Sequence, residues 1–348
     1  MSYLPLSFPA WCPMFRLQLS RLFLLPVLMV LAACAKQAEP FATSTEPAAL
    51  MRVVFPDSKE GAAERAEMPS ELGEEPGNAG DDSTKADFSA ELVVRLSPDQ
   101  VVLIVSGVPV AAGHPTHGLL MAYWFERHEK NWLLSKKEPQ AVFTGFYGQA
   151  GDVKLIEPAD DLKVLAVENG SCWQGMCGHW LHLFRVDGQG MTDLLGKEEA
   201  IQLGTDADGA TTSCEGLMKR GAGTRVRVST DEYSEAYGCV GVSAKWYVRV
   251  RKDKSGPGDI VIEFSGKQTS AELVPIERPA VSASAPVAES APQATNAAEN
   301  AHENDSSEVE APTEEYLVTV HNIRETLVYR YRNGQYEHLS GKNPAPEL

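Results

Sequence analysis

Residues 172 to 182, CWQGMCGHWLH, set Cys172, Cys177, His179 and His182 within eleven positions, all of them side-chain types that bind zinc or copper. His114 and His117, in GHPTHG, repeat the three-residue spacing in a Gly- and Pro-flanked stretch that reads as a loop, where two imidazoles can converge. On a strand, by contrast, His179 and His182 point to opposite faces. Metal binding also requires free thiolates, so it competes with a disulfide reading of the same cysteines.

A second constellation lies at GTDADGATTSCEG. Asp206, Asp208, Gly209 and Glu215 fall at spacings matching positions 3, 5, 6 and 12 of a calcium loop, but Gly204 stands where the first acidic ligand belongs, and no flanking helices are evident. A polar turn is the expected structure. The chain has no Gly-x-Ser-x-Gly elbow, no Ser-x-x-Lys, no phosphate-cradling glycine loop, no His-Glu-x-x-His and no Cys-x-x-Cys. No cofactor is therefore expected.

The elements that must position these residues read as strands. From Leu92 onward short runs rich in Val, Ile and aromatics are broken by turn residues. LLMAYWFERHEKNWLL, WLHLFRVDGQGMTDLL, KWYVRVRKDKSGPGDIVIEF and LVYRYRNGQYEHL each have the form strand, polar turn, strand. Asn333-Gly334 suits a two-residue hairpin turn, since both residues tolerate positive φ, and Asp187-Gly188 suits a related one. The predicted fold class is mainly β, an antiparallel meander of hairpins resembling a partial propeller or barrel. DLLGKEEAIQL is the best helix candidate, and it is short.

Composition limits how much of the chain can fold. Residues 34–87 are rich in Asp, Glu, Pro, Gly and Ala and are read as a disordered acidic tether of about 54 residues, spanning on the order of 40 Å as a coil. MRVVFP, residues 51 to 56, is its one apolar patch, able to add an edge strand or to stay unstructured. Residues 279 to 315 hold eight acidic residues and no Lys or Arg, so 277–315 is expected to be a second disordered segment. Between them lies a β-rich domain, 88–276, to which a C-terminal hairpin, 316–348, returns, because two strands alone are marginal. The net charge of -17 excludes a nucleic-acid partner, which needs a basic face.

Residues 22 to 33, LFLLPVLMVLAA, form an apolar run of twelve behind Arg16 and Arg21, too short for a spanning helix and suited to an export signal. Met14 begins a tidier version of the same signal. The run ends in Leu31-Ala32-Ala33-Cys34, which resembles the lipobox of bacterial lipoprotein precursors. That resemblance implies a signal peptide over 1–33, cleavage before Cys34, a diacylglyceryl group on its thiol and acylation, such as with palmitate, of the new amine. Several acyl chains hold a protein firmly on a bilayer. Ala35 is not the Asp associated with inner-membrane retention, so an outer-membrane anchor facing the periplasm is expected.

Export favours disulfides for the four domain cysteines, which allow three pairings. Cys172 with Cys177, across a Gly-containing turn, and Cys214 with Cys239, between neighbouring strands, each close a local loop. The expected protein is a membrane-anchored envelope module without enzymatic activity, binding an envelope protein or glycan through exposed aromatics drawn from Trp124, Trp132, Trp173 and Trp180. A hydrolase lacking a recognisable motif is the first alternative. A metal carrier using His114, His117, His179 and His182 is the second.

Overall fold

The computed structural model describes residues 40–56, 64–67, 85–198, 200–207, 212–229, 238–253, 256–274 and 315–346. The predicted signal peptide, Cys34, most of the acidic segment 57–84 and the insertion 277–314 lie outside the described residues.

The chain begins with β1 (Phe41–Ala42), α1 (Pro47–Val54) and β2 (Glu64–Glu67), then runs through β3 (Lys85–Ser97), β4 (Gln100–Pro109), β5 (Gly118–His128) and β6 (Asn131–Thr144). These strands make an antiparallel sheet in the order β1-β6-β5-β4-β3-β2. A second sheet takes β7 (Asp152–Ala159), β8 (Leu162–Trp173), β9 (Met176–Asp187), β10 (Gly190–Asp193), β11 (Ile201–Asp206), β12 (Arg225–Ser229), β13 (Val240–Arg249), β14 (Asp259–Val274), β15 (Glu315–Arg332) and β16 (Gln335–Ser340). Its order is β12-β15-β14-β13-β11-β9-β8-β7, with β10 on β9 and β16 on β15. All pairings are antiparallel, and of the two forms expected for the meander it is the curled half-barrel that one sheet takes.

Period-2 alternation explains why β4 from Val101 to Val105 and β5 from Leu119 to Phe125 are apolar without a break. Val101, Leu103 and Val105 of β4, with Leu119, Met121, Tyr123 and Phe125 of β5, face α1. Val102 and Ile104, with Leu120, Ala122 and Trp124, face the second sheet and meet Leu165, Val167, Phe184 and Val186. A strand covered on both faces has no solvent side to be polar. The second sheet's other face carries its own core, with Val164, Leu183, Ile201, Ile262 and Leu327.

The folded region begins at Phe41, well inside the segment expected to be a tether. Pro47 at the first turn, then Ala-Ala-Leu-Met, starts a helix, and Phe55-Pro56 ends it because a residue before proline disfavours the helical region. Leu50, Met51 and Val53 are buried against the first sheet, and Phe55 stacks on Phe88 with ring centroids 5.0 Å apart. MRVVFP is thus mostly helix, not an edge strand. DLLGKEEAIQL, the expected helix, forms only a 3-10 turn at Gly196–Glu198 before β11. The second helix is instead α2 (Thr212–Met218), inside the calcium-like segment. Asp206 ends β11, Glu215 pairs with Lys219 on α2, and Asp208 and Gly209 lie outside the described residues.

The turns follow the local chemistry with one change. Asn333 and Gly334 both take positive φ, 51° and 90°, and β15 and β16 meet across them as predicted. At Asp187-Gly188 the positive φ moves to Gly190, while the Asp187 carboxylate accepts the amides of Gln189 and Gly190 and closes the turn. The C-terminal hairpin does return to the domain, where β15 pairs along the whole length of β14.

Asp259 ties three strands of the second sheet together. Its side chain is 3% exposed and accepts hydrogen bonds from Arg330 at 2.9 and 3.0 Å and from Arg249 at 3.1 Å. The Arg330 guanidinium foremost, with Arg249, holds the carboxyl below its ordinary range. The folded state therefore gains from the ionised carboxylate above the ordinary carboxylate pKa and loses that gain as pH falls through the lower folded value. Asp259→Asn is expected to cost about 2 kcal/mol at pH 7. In chemical denaturation the gap from the unsubstituted protein should narrow as pH is lowered from 5 to about 2.

Candidate functional site

The chain leaves the first sheet at Thr144 and enters the second at Asp152, through a crossing of seven residues that bends sharply. Gly145, Gly148 and Gly151 take positive φ, and so does Tyr147, at 53°. A bulky residue there is uncommon and persists only where its surroundings hold it. They do: the Tyr147 amide donates to the His114 carbonyl at 3.3 Å, and the Gly148 amide to Thr116 at 2.8 Å. Gly148 is obligatory for close approach as well, since a Cβ there would lie 2.7 Å from that of Ala112. The result is a Tyr147 ring 53% exposed.

Beside this crossing runs the far end of β8. The β8–β9 hairpin turns at Gln174-Gly175, both at positive φ, and is pinned by the Cys172–Cys177 disulfide between directly opposed residues. The other disulfide joins Cys214 of α2 to Cys239 at the start of β13, within a small core of Leu217, Val228, Tyr316 and Val318. Both pairings are those expected from the sequence. Pinning the hairpin leaves Trp173 standing 57% exposed at its tip.

Alternation sorts the side chains of β8. Asn169, Ser171 and Trp173 share one face, which docks on the loops of the first sheet. Asn169 donates to the Thr144 hydroxyl at 2.7 Å, and the Ser171 hydroxyl lies 2.9 Å from Nε2 of His114. The His114 ring sits against Trp173, Tyr147 and Phe146, with centroids at 4.6, 4.8 and 5.9 Å, and Phe146 in turn packs on Trp180 at 5.5 Å. On the opposite face of β8 lie Glu168, Gly170 and Cys172.

Between the crossing and this end of β8 opens a cleft of about 600 Å³, in the range of small-ligand sites. Phe146, Tyr147 and Trp180 supply aromatic wall, and Asp152 and Glu168 supply carboxylates; no Lys or Arg lines it. Lys154 lies alongside, engaged with Glu168 at 2.7 Å, and that hydrogen bond raises its pKa. The cleft suits a neutral or cationic ligand that offers apolar faces to rings and donors to carboxylates, and it disfavours an anion.

The four histidines that the metal-carrier alternative would use have other contacts. His117 Nδ1 is 2.8 Å from the Gly145 carbonyl, His114 holds Ser171, His179 lies exposed over Gly170, and His182 stacks on Phe184. Cys172 and Cys177 are oxidised, and among the described residues no group of three or more His, Cys, Asp or Glu is placed to hold a metal ion. Of the four tryptophans offered as contacts, Trp124 and Trp132 are core residues, 1% and 6% exposed, while Trp180 lines the cleft and Trp173 stands against His114 beside it. Phe146 and Tyr147 gave no signal in the sequence beyond a Gly-flanked aromatic pair in TGFYGQ.

No protein family, curated protein or solved structure matches this chain.

Proposed function

We propose that this is a lipid-anchored envelope protein of bacteria, without enzymatic activity, that binds its partner in the cleft beside β8. The observation that carries the reading is the pair of aromatics held by strained or disulfide-pinned backbone, Tyr147 in the cleft wall at positive φ and Trp173 beside it at a cross-linked tip, both more than half exposed. Exposed rings fixed at structural cost mark a contact surface better than scattered apolar residues do. Trp180→Ala, which removes the ring at the cleft wall, is expected to weaken partner binding by about 2 kcal/mol, roughly thirtyfold.

Two disulfides accord with an oxidising compartment, and Cys34 with acylation. The anchor lies on the outer membrane, on its periplasmic face. Six residues, 35 to 40, separate Cys34 from the first strand in the sequence. Cys34→Ala should abolish incorporation of labelled fatty acid and release the protein from the membrane fraction. Unchanged membrane retention contradicts the anchor.

One observation favours a second reading, a hydrolase. Ser171 and His114 stand at 2.9 Å, the separation of a nucleophile and its base. His114 is flanked by rings, and no hydrogen bond ties its Nδ1 to a carboxylate among the described residues. A fluorophosphonate probe decides the matter: labelling lost in Ser171→Ala establishes the hydrolase, and absence of labelling removes it.

A further inference from the structure

The cleft is bordered by an incomplete strand edge. β7 pairs with β8 only from Ala159↔Leu162 to Asp152↔Glu168, whereas β9 continues to pair with β8 as far as Trp173↔Met176. Asn169 to Trp173 therefore have no ladder partner on the side away from β9, and no backbone hydrogen bond reaches them from that side among the described residues.

The direction of the free groups follows from the pairing. Cys172 and Cys177 are directly opposed with Cα atoms 4.0 Å apart, the close spacing of a non-hydrogen-bonded pair. The N–H and C=O of Cys172, and by alternation those of Gly170, thus point away from β9 toward the open edge. Both residues are exposed and both line the cleft. Gly170 has no side chain of its own, the His179 ring lies over its face rather than across its edge, and the disulfide cross-links this end of the hairpin. Asn169 to Trp173 offer five residues of strand, about 13 Å.

We infer that the cleft takes an extended peptide segment of a partner protein, which adds a short strand to β8 by bonding to the backbone of Gly170 and Cys172. The inference rests on the reading of the cleft as the binding site and names what enters it. Main-chain bonds supply affinity without sequence, and alternate peptide side chains reach the pockets beside the strand. One set meets the rings of Phe146 and Trp180, and a basic residue at the Glu168 end meets Asp152. The absence of Lys and Arg from the lining turns away this chain's own acidic segments. A second copy is disfavoured by charge, since each chain carries a net charge of -17.

A display library of randomised linear heptapeptides, panned on the folded protein, tests this. Selected peptides are expected to carry basic and aromatic residues, to lose at least tenfold in affinity in Trp180→Ala, and to lose as much on N-methylation at alternate backbone positions, which removes amide donors and leaves side chains intact. Binding that weakens in Trp180→Ala but is indifferent to N-methylation at every position overturns strand addition and leaves the cleft as the site. Cell-wall glycan fragments that bind the cleft where no peptide does have the same consequence. Peptides unaffected by Trp180→Ala overturn both. Concentration-dependent dimers abolished by an added selected peptide would make a second copy the occupant and overturn the choice of partner.

Discussion

Leu50→Asp is expected to unfold the domain at 25 °C. Leu50 is fully buried between α1 and the first sheet, among Phe88, Leu103, Met121 and Phe125. Truncating such a side chain to alanine costs about 2–5 kcal/mol, and placing a carboxylate there adds desolvation with no cation to offset it. Against a typical total of about 5–15 kcal/mol, the sum removes most or all of the stability. Urea denaturation followed by tryptophan fluorescence measures it. Glu46→Gln, an exposed change just before α1, should shift the midpoint by no more than about 0.5 kcal/mol. A Leu50→Asp protein of undiminished stability would mean that residues 41 to 56 are not part of the fold.

The second large effect concerns the disulfides, which are expected to separate stability from binding. Cys214 and Cys239 close a loop of 25 residues, and replacing both with serine should cost roughly 3 kcal/mol, because the unfolded chain regains that loop's freedom. None of the residues of their small core lines the cleft, so partner binding in the folded fraction should be unchanged. Cys172 and Cys177 are only five apart and their loss should cost less, about 2 kcal/mol. It should nonetheless weaken binding, since the hairpin end that carries Trp173 and the open edge loses its tie. Comparable loss of binding in both double variants would contradict this division.

What could be read from the sequence was what is encoded locally. Alternation of Val, Ile and aromatic residues predicted the strands, Asn333-Gly334 its hairpin, and short separations the two disulfides. The helix at Pro47 was hidden because eight residues were averaged with some fifty acidic and small neighbours, although Pro47, the Ala-Ala-Leu-Met run and Pro56 are its local signals. DLLGKEEAIQL misled in the opposite sense: its apolar residues, Leu194, Leu195 and Ile201, are buried by the second sheet without a helix. The site itself was only partly legible. Trp173 and Trp180 were offered together with Trp124 and Trp132, and nothing local distinguishes the two pairs. What separates them is that Trp124 of β5 is covered by the second sheet and Trp132 of β6 lies in the core shared with α1, whereas the β8–β9 tip extends past its neighbour β7. Phe146 and Tyr147 acquire their role only when the crossing at 145–151 brings them beside β8.

The binding site is tested most directly by photocrosslinking in intact cells, with a photoreactive residue placed at position 173 and, for comparison, at Val250, which is 76% exposed and lies just past the end of β13 opposite the one beside Asp206 and Cys177. The account predicts a discrete adduct from position 173 that disappears when Trp180→Ala is added, and none from position 250. The same adducts from both positions, or an adduct at 173 that survives Trp180→Ala, would contradict it.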